Sequence, residues 1–134
     1  MGVFGFFKKR KSELSHGQKK WNKMWDLWAE NRADTPYAEV MTYQSEVNNG
    51  GHDQYFFNVE QTDNLQAEIS ILENVLSEEL RSNLLTAYDA YQMLADKESD
   101  EEWEAILEGC DNVFFKNEEE INRILKEYAS KIEL

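Results

Sequence analysis

Apolar side chains recur along most of this chain with the 3.6-residue period of an amphipathic helix, and nowhere does a sustained alternation predict a strand. Ser15 with Gln18 reads as a capping box, followed by Trp21, Met24, Trp25 and Trp28 on one face. Thr35 is the N-cap candidate of a second helix, with Pro36 at its first position and Tyr37, Val40, Met41 and Val47 facing inward. Asp63 with Gln66 predicts the start of a helix carrying Leu65, Ile69, Leu72, Val75 and Leu76. Ser77 opens the next, with Leu80, Leu84, Ala87, Tyr88 and Tyr91, up to a polar break at Lys97-Glu98-Ser99. Ser99 with Glu102 then caps a helix bearing Trp103, Ile106, Leu107, Cys110 and Phe114; Asn117 with Glu120 caps a last one bearing Ile121, Ile124, Leu125, Tyr128 and Ile132. The expected fold is all-α, a compact bundle of six or seven helices with short connections, in a single domain.

The periodicity is interrupted once, at Asn48-Asn49-Gly50-Gly51-His52-Asp53-Gln54-Tyr55-Phe56-Phe57-Asn58. Glycine supplies positive φ without a Cβ clash, so the chain can leave one helix after Val47 and enter a short aromatic helix within a few residues. Gln54 and Asn58 fall on one face of that helix, where amides that both donate and accept suit a buried tie, and three consecutive aromatics cannot all face solvent cheaply. The stretch therefore reads as a structural lock.

The same residues resemble the signature Asn-Gly-Gly-x-x-Gln-aromatic-Phe-x-Asn of a bacterial family of small all-helical proteins, a domain of unknown function named after a DNA-mimic protein. The matching positions are Asn49, Gly50, Gly51, Gln54, Tyr55, Phe56 and Asn58, preceded by Glu46-Val47-Asn48. The likeness spans Trp21 to Tyr91 and weakens beyond. It departs at His52, where an apolar or aromatic residue is expected, and in the basic tail that precedes the domain. The resemblance implies a helical fold and, for some members, sequestration of a DNA-binding protein by imitation of DNA charge.

Charge divides the chain unevenly. Of its formal −13, residues 1–23 hold seven lysines and arginines against one acid, a balance of +6, while residues 24–134 hold seven against 26, a balance of −19. A body this acidic repels nucleic acid and favours a basic protein partner, such as a DNA-binding transcription factor. Two units are expected, a basic, apolar tail over 1–14 and an acidic helical domain over 15–134. In the tail, Phe4, Phe6 and Phe7 followed by Lys8, Lys9, Arg10 and Lys11 have the wrong order for a secretory signal, and Phe6 breaks the myristoylation pattern. The readings left open for it are a weakly docked terminus, contact with anionic lipid at the inner membrane face, or folding back onto the acidic body. No run approaches the ~20 apolar residues of a membrane span. Cys110 stands alone, which rules out an intramolecular disulfide and fits a reducing, cytoplasmic setting.

Placed on the helices, Glu101, Glu104, Glu108 and Asp111 fall at spacings of three and four and form an acidic stripe, with Cβ atoms ~5–6 Å apart, comparable with successive phosphates of a nucleic-acid strand. Asp100, Glu118 and Glu119 add charge at helix N-termini, where the macrodipole also favours carboxylates. These seven are the candidate partner-binding residues, and specificity calls for an exposed Trp or Tyr beside them. Trp21, Trp25 and Trp28 read as core or as a homodimer seam. A non-mimic module, a toxin antidote or a membrane-surface adaptor, is the alternative. Catalysis is not expected. The candidates are the loop residues His52, Asp53, Gln54 and Asn58, with His52 and Asp53 the ones to test, and Cys110, which lies on an apolar stripe; there is no metal-ligand spacing and no phosphate-binding glycine loop, and no cofactor is expected.

Overall fold

The computed structural model describes residues 15–96 and 100–134, which form six helices with no strand among them. These are α1 (His16–Ala29), α2 (Tyr37–Thr62), α3 (Leu65–Val75), α4 (Glu78–Asp96), α5 (Glu101–Lys116) and α6 (Glu118–Ser130). The tail residues Phe4, Phe6, Phe7, Lys8, Lys9, Arg10 and Lys11, and the Ser99 cap, lie outside the described residues.

The second helix organises the rest. Gly50 (φ −157°, ψ 18°) and Gly51 (φ 80°, ψ −179°) are non-helical, and the chain reverses there. Residues 12 apart on a straight helix are ~18 Å apart along its axis. Yet Asn58 Nδ2 donates to Glu46 Oε2 at 2.8 Å, and the rings of Tyr43 and Tyr55 meet edge-on at 5.1 Å. So α2 is two arms folded against each other, and the break comes after Asn49 rather than at Val47. Around it pack α3, α4, α5 and α6, while α1 rests on α6 and α4 pairs with α5.

The core follows the predicted faces. Met24, Val40, Met41, Val47, Ile69, Leu72, Leu80, Leu84, Ala87, Leu107, Phe114, Ile121 and Leu125 are all buried, and the tryptophans of α1 pack partly buried against them. Each fully buried large aliphatic or aromatic side chain contributes ~1.5–3 kcal/mol from surface removed from water. Of the three consecutive aromatics, Tyr55 and Phe56 are buried and Phe57 is exposed, since one arm presents only one face to the core.

Several caps differ from expectation, because the helix boundary falls a residue away or the side chain bonds elsewhere. Ser15 Oγ accepts from the Gln18 N–H at 3.1 Å, but the Gln18 amide turns to Asn22. Thr35 gives its hydroxyl to Glu39, and the helix starts at Tyr37 with Pro36 in the cap position. Asn64, not Asp63, caps α3, accepting from the Ala67 N–H; Asp63 closes α2. Asp100 caps α5 by accepting from the Glu102 N–H at 2.9 Å. The Asn117 side chain makes no cap and instead donates back to the Val113 carbonyl.

Candidate protein-interaction surface

Gly51 lies in a backbone region reserved for glycine, and a Cβ there would collide with the carboxylate of Asp111. That carboxylate reaches across from α5 to the first turn of the second arm of α2. Asp111 Oδ1 accepts the His52 backbone N–H at 2.8 Å and lies 2.6 Å from His52 Nδ1. A carboxylate only accepts, so Nδ1 carries a proton toward Asp111, and the Tyr43 hydroxyl lies 2.6 Å from Nε2, within hydrogen-bond distance of the other ring nitrogen. Burial, with Cys110 and Asp111 nearby, pushes the Tyr43 phenol far up, which keeps it protonated.

His52 has no exposed surface and sits among the rings of Tyr43, Phe56 and Phe114, with centroids 5.4, 6.0 and 6.1 Å away. It thus fills the place where an apolar or aromatic residue is expected, with both nitrogens satisfied. Tyr43, His52 and Asp111 are connected like a triad, but Tyr43 and His52 are wholly buried, so a substrate has no access to either. Cys110 is buried as predicted, and burial followed by the charge of Asp111 pushes its thiol up to about 11, away from reactivity.

Two further ties hold the folded arms. Glu46 Oε2 accepts from both Gln54 Nε2, at 2.9 Å, and Asn58 Nδ2, so these amides bridge to a carboxylate rather than to loop backbone. Glu118 Oε2 accepts from Gln44 Nε2 at 3.1 Å and from Asn48 Nδ2 at 2.7 Å, tying α6 to the first arm. Sequence periodicity singled out neither Tyr43, Glu46 nor Gln44 for this, because the bonds cross between elements. The only signal for them was the pairing of Gln54 with Asn58.

The seven acidic residues therefore divide. Glu101, Glu104, Glu108 and Glu119 are exposed, and none takes part in an ion pair among the described residues. Asp111, Glu118 and Asp100 are partly buried and bonded within the protein. The stripe on α5 is thus three residues long, and the expectation that Asp111 extends it is corrected by its turn toward His52. Among the described residues the exposed large apolar side chains are Phe57, Leu85, Phe115 and Leu134, so the exposed aromatics there are phenylalanines, while the tryptophans are partly buried rather than exposed as the expected anchor. Among the described residues no helix is long and apolar enough to cross a membrane.

A family model described as DMP19-like protein matches residues 31–132, starting later than the likeness expected from Trp21 and running on through α6. No curated protein and no solved structure is significantly similar to the chain.

Proposed function

The chain belongs to the DMP19-like family, and from that premise we propose that it is an acidic protein-binding module, a DNA mimic that occupies the nucleic-acid-binding surface of a basic, DNA-binding protein. The observation that supports this most is the row of Glu101, Glu104 and Glu108, exposed and in no ion pair among the described residues, on a helix whose far end is pinned under the glycine reversal. Fixed carboxylates meet the lysines and arginines of such a partner without an ordering cost, and binding through them weakens steeply with salt.

The test is capture from the native host's lysate on the full chain and on a variant carrying Glu101→Gln, Glu104→Gln and Glu108→Gln, eluted first by salt and then by duplex DNA. A DNA-binding protein retained only by the parent chain and released by both eluants is the expected result. A partner indifferent to DNA and to these substitutions removes mimicry and favours the second reading, an antidote or adaptor. Exposed Phe57 and Phe115 support that reading, since apolar adhesion depends little on salt. Neither reading assigns catalysis, a cofactor or a metal to the chain.

A further inference from the structure

A pocket of about 180 Å³ opens between the end of α1, the two arms of α2 and the start of α3, lined in part by Trp28, Thr42, Glu39, Asp63 and Glu68. It shares no residue with the acidic row on α5. Three observations set it apart from a solvated acidic patch. Glu68 is only 8% exposed and receives no hydrogen bond from any described residue. The Tyr55 phenol is fully buried with its oxygen unpartnered among the described residues, close enough to Glu68, Glu39 and Asp63 to feel all three charges. One oxygen of Glu39 is likewise buried without a partner, while the other accepts from Thr35.

Buried polar groups in folded proteins are almost always satisfied, and buried carboxylates are almost always paired. Here the lining holds three carboxylates, of Glu39, Asp63 and Glu68, beside the Asn31 amide, and no cation. The Trp28 indole N–H is already given to Thr42 Oγ1 at 2.9 Å, and Trp25 meets the ring edge-on at 5.3 Å, which together fix the indole in the pocket wall. The carboxylates are not grouped as metal ligands. An elongated organic cation fits this carboxylate-lined wall better than a metal ion, because it carries several N–H donors on an apolar stem.

We infer that this pocket is a binding site for a single alkylammonium or guanidinium group, the side-chain chemistry of lysine and arginine, held by Glu68 and Asp63 beside Trp28. Burial, then the charges of Asp63 and Glu39, pushes the Glu68 carboxyl up to about 7, and a cation bound beside it would draw that value back down. The site does not rest on the mimicry reading, because a protein with Glu101, Glu104 and Glu108 neutralised keeps every group that lines it.

The experiment is a titration of the full ¹⁵N-labelled chain with N-acetyl-arginine amide, following the Trp28 indole N–H resonance, identified by its loss in Trp28→Phe. N-acetyl-citrulline amide serves as the uncharged isostere. Saturable movement is expected with arginine and not with citrulline. Glu68→Gln should weaken it by about tenfold or more, the scale of one hydrogen bond to a charged group. Asp63→Asn provides a second variant should Glu68→Gln fold poorly. The variant of the α5 row should titrate like the parent. Movement that is absent, equal with citrulline, or unchanged in both pocket variants overturns the site. Replacing Lys8, Lys9, Arg10 and Lys11 by Ser in the full chain distinguishes the sources. An indole resonance of the free protein that moves on this change, with tighter arginine binding, identifies the chain's own tail as the occupant; an unchanged one points to a partner's side chain.

Discussion

Along the first turns of α5, Glu101, Glu104 and Glu108 are exposed and without ion-pair partners among the described residues, whereas three residues further on the same face Asp111 turns beneath the glycine reversal of α2 and bonds twice to His52. Spacing is the same and the role is opposite. Under water a carboxylate keeps its hydration and stays available to a partner; under a neighbouring element it must be paid for by donors, and Asp111 has them at the N-terminus of the second arm, where the helix dipole also favours it. The shorter side chain suits this, since only a close approach brings Oδ1 to both N–H groups of His52.

The largest effect should come from breaking that contact on the glycine side. Gly51→Val places a β-branched side chain at φ 80° and against the Asp111 carboxylate, so it should cost about 3 kcal/mol or more, or prevent folding. Urea unfolding of the purified variant measures it; a loss below about 1 kcal/mol would mean that the reversal relaxes without the glycine. Next, Asp111→Ala leaves the His52 N–H and Nδ1–H without an acceptor, and about 2–3 kcal/mol should be lost in the same assay. An unchanged midpoint would return Asp111 to the outward row.

How far the chain could be read follows from the same contrast. Burial of Leu72, Leu84, Phe114 and Ile121 was legible because a helical period alone determines which residues share a face. The reversal at Gly50-Gly51 was legible from its residue types, although its position moved from Val47 to the glycines themselves. The inward turn of Asp111 was not, because it depends on α2 lying over the end of α5, a contact between residues 59 apart in sequence. The Asp63 and Asn117 caps failed for a related reason, as the helix boundaries fell one residue away or another acceptor took the amide. Glu68 went unnoticed as a polar residue on a helix whose apolar positions were clear; only the folding back of α2 encloses it.

Glu68 sharpens the comparison, being a buried carboxylate without the donors that Asp111 has. Its folded-state value, about 7, lies above the ordinary 4.5, so the folded protein binds more protons than the unfolded chain between those values. Stability from this group is therefore full below about 4.5 and is lost as pH rises through about 7. Glu68→Gln should stabilise the protein at pH 8 by about 1–2 kcal/mol, a figure reduced from the full shift because the pocket opens to water, and should change little at pH 5. Thermal unfolding of both proteins at the two pH values decides it, and equal differences at both would show that Glu68 is ionised throughout.

The smallest effect on stability belongs to the outward row. Gln at positions 101, 104 and 108 removes like-charge neighbours at spacings of three and four but also removes carboxylates from a helix N-terminus, two terms of a few tenths of a kcal/mol with opposite signs. The triple variant should therefore unfold within about 0.5 kcal/mol of the parent, on the same urea curve that registers Asp111→Ala strongly. A cost of about 2 kcal/mol instead would place these glutamates in bonds within the fold, and a partner lost on their substitution would then report damage to the helix rather than the removal of a charged surface.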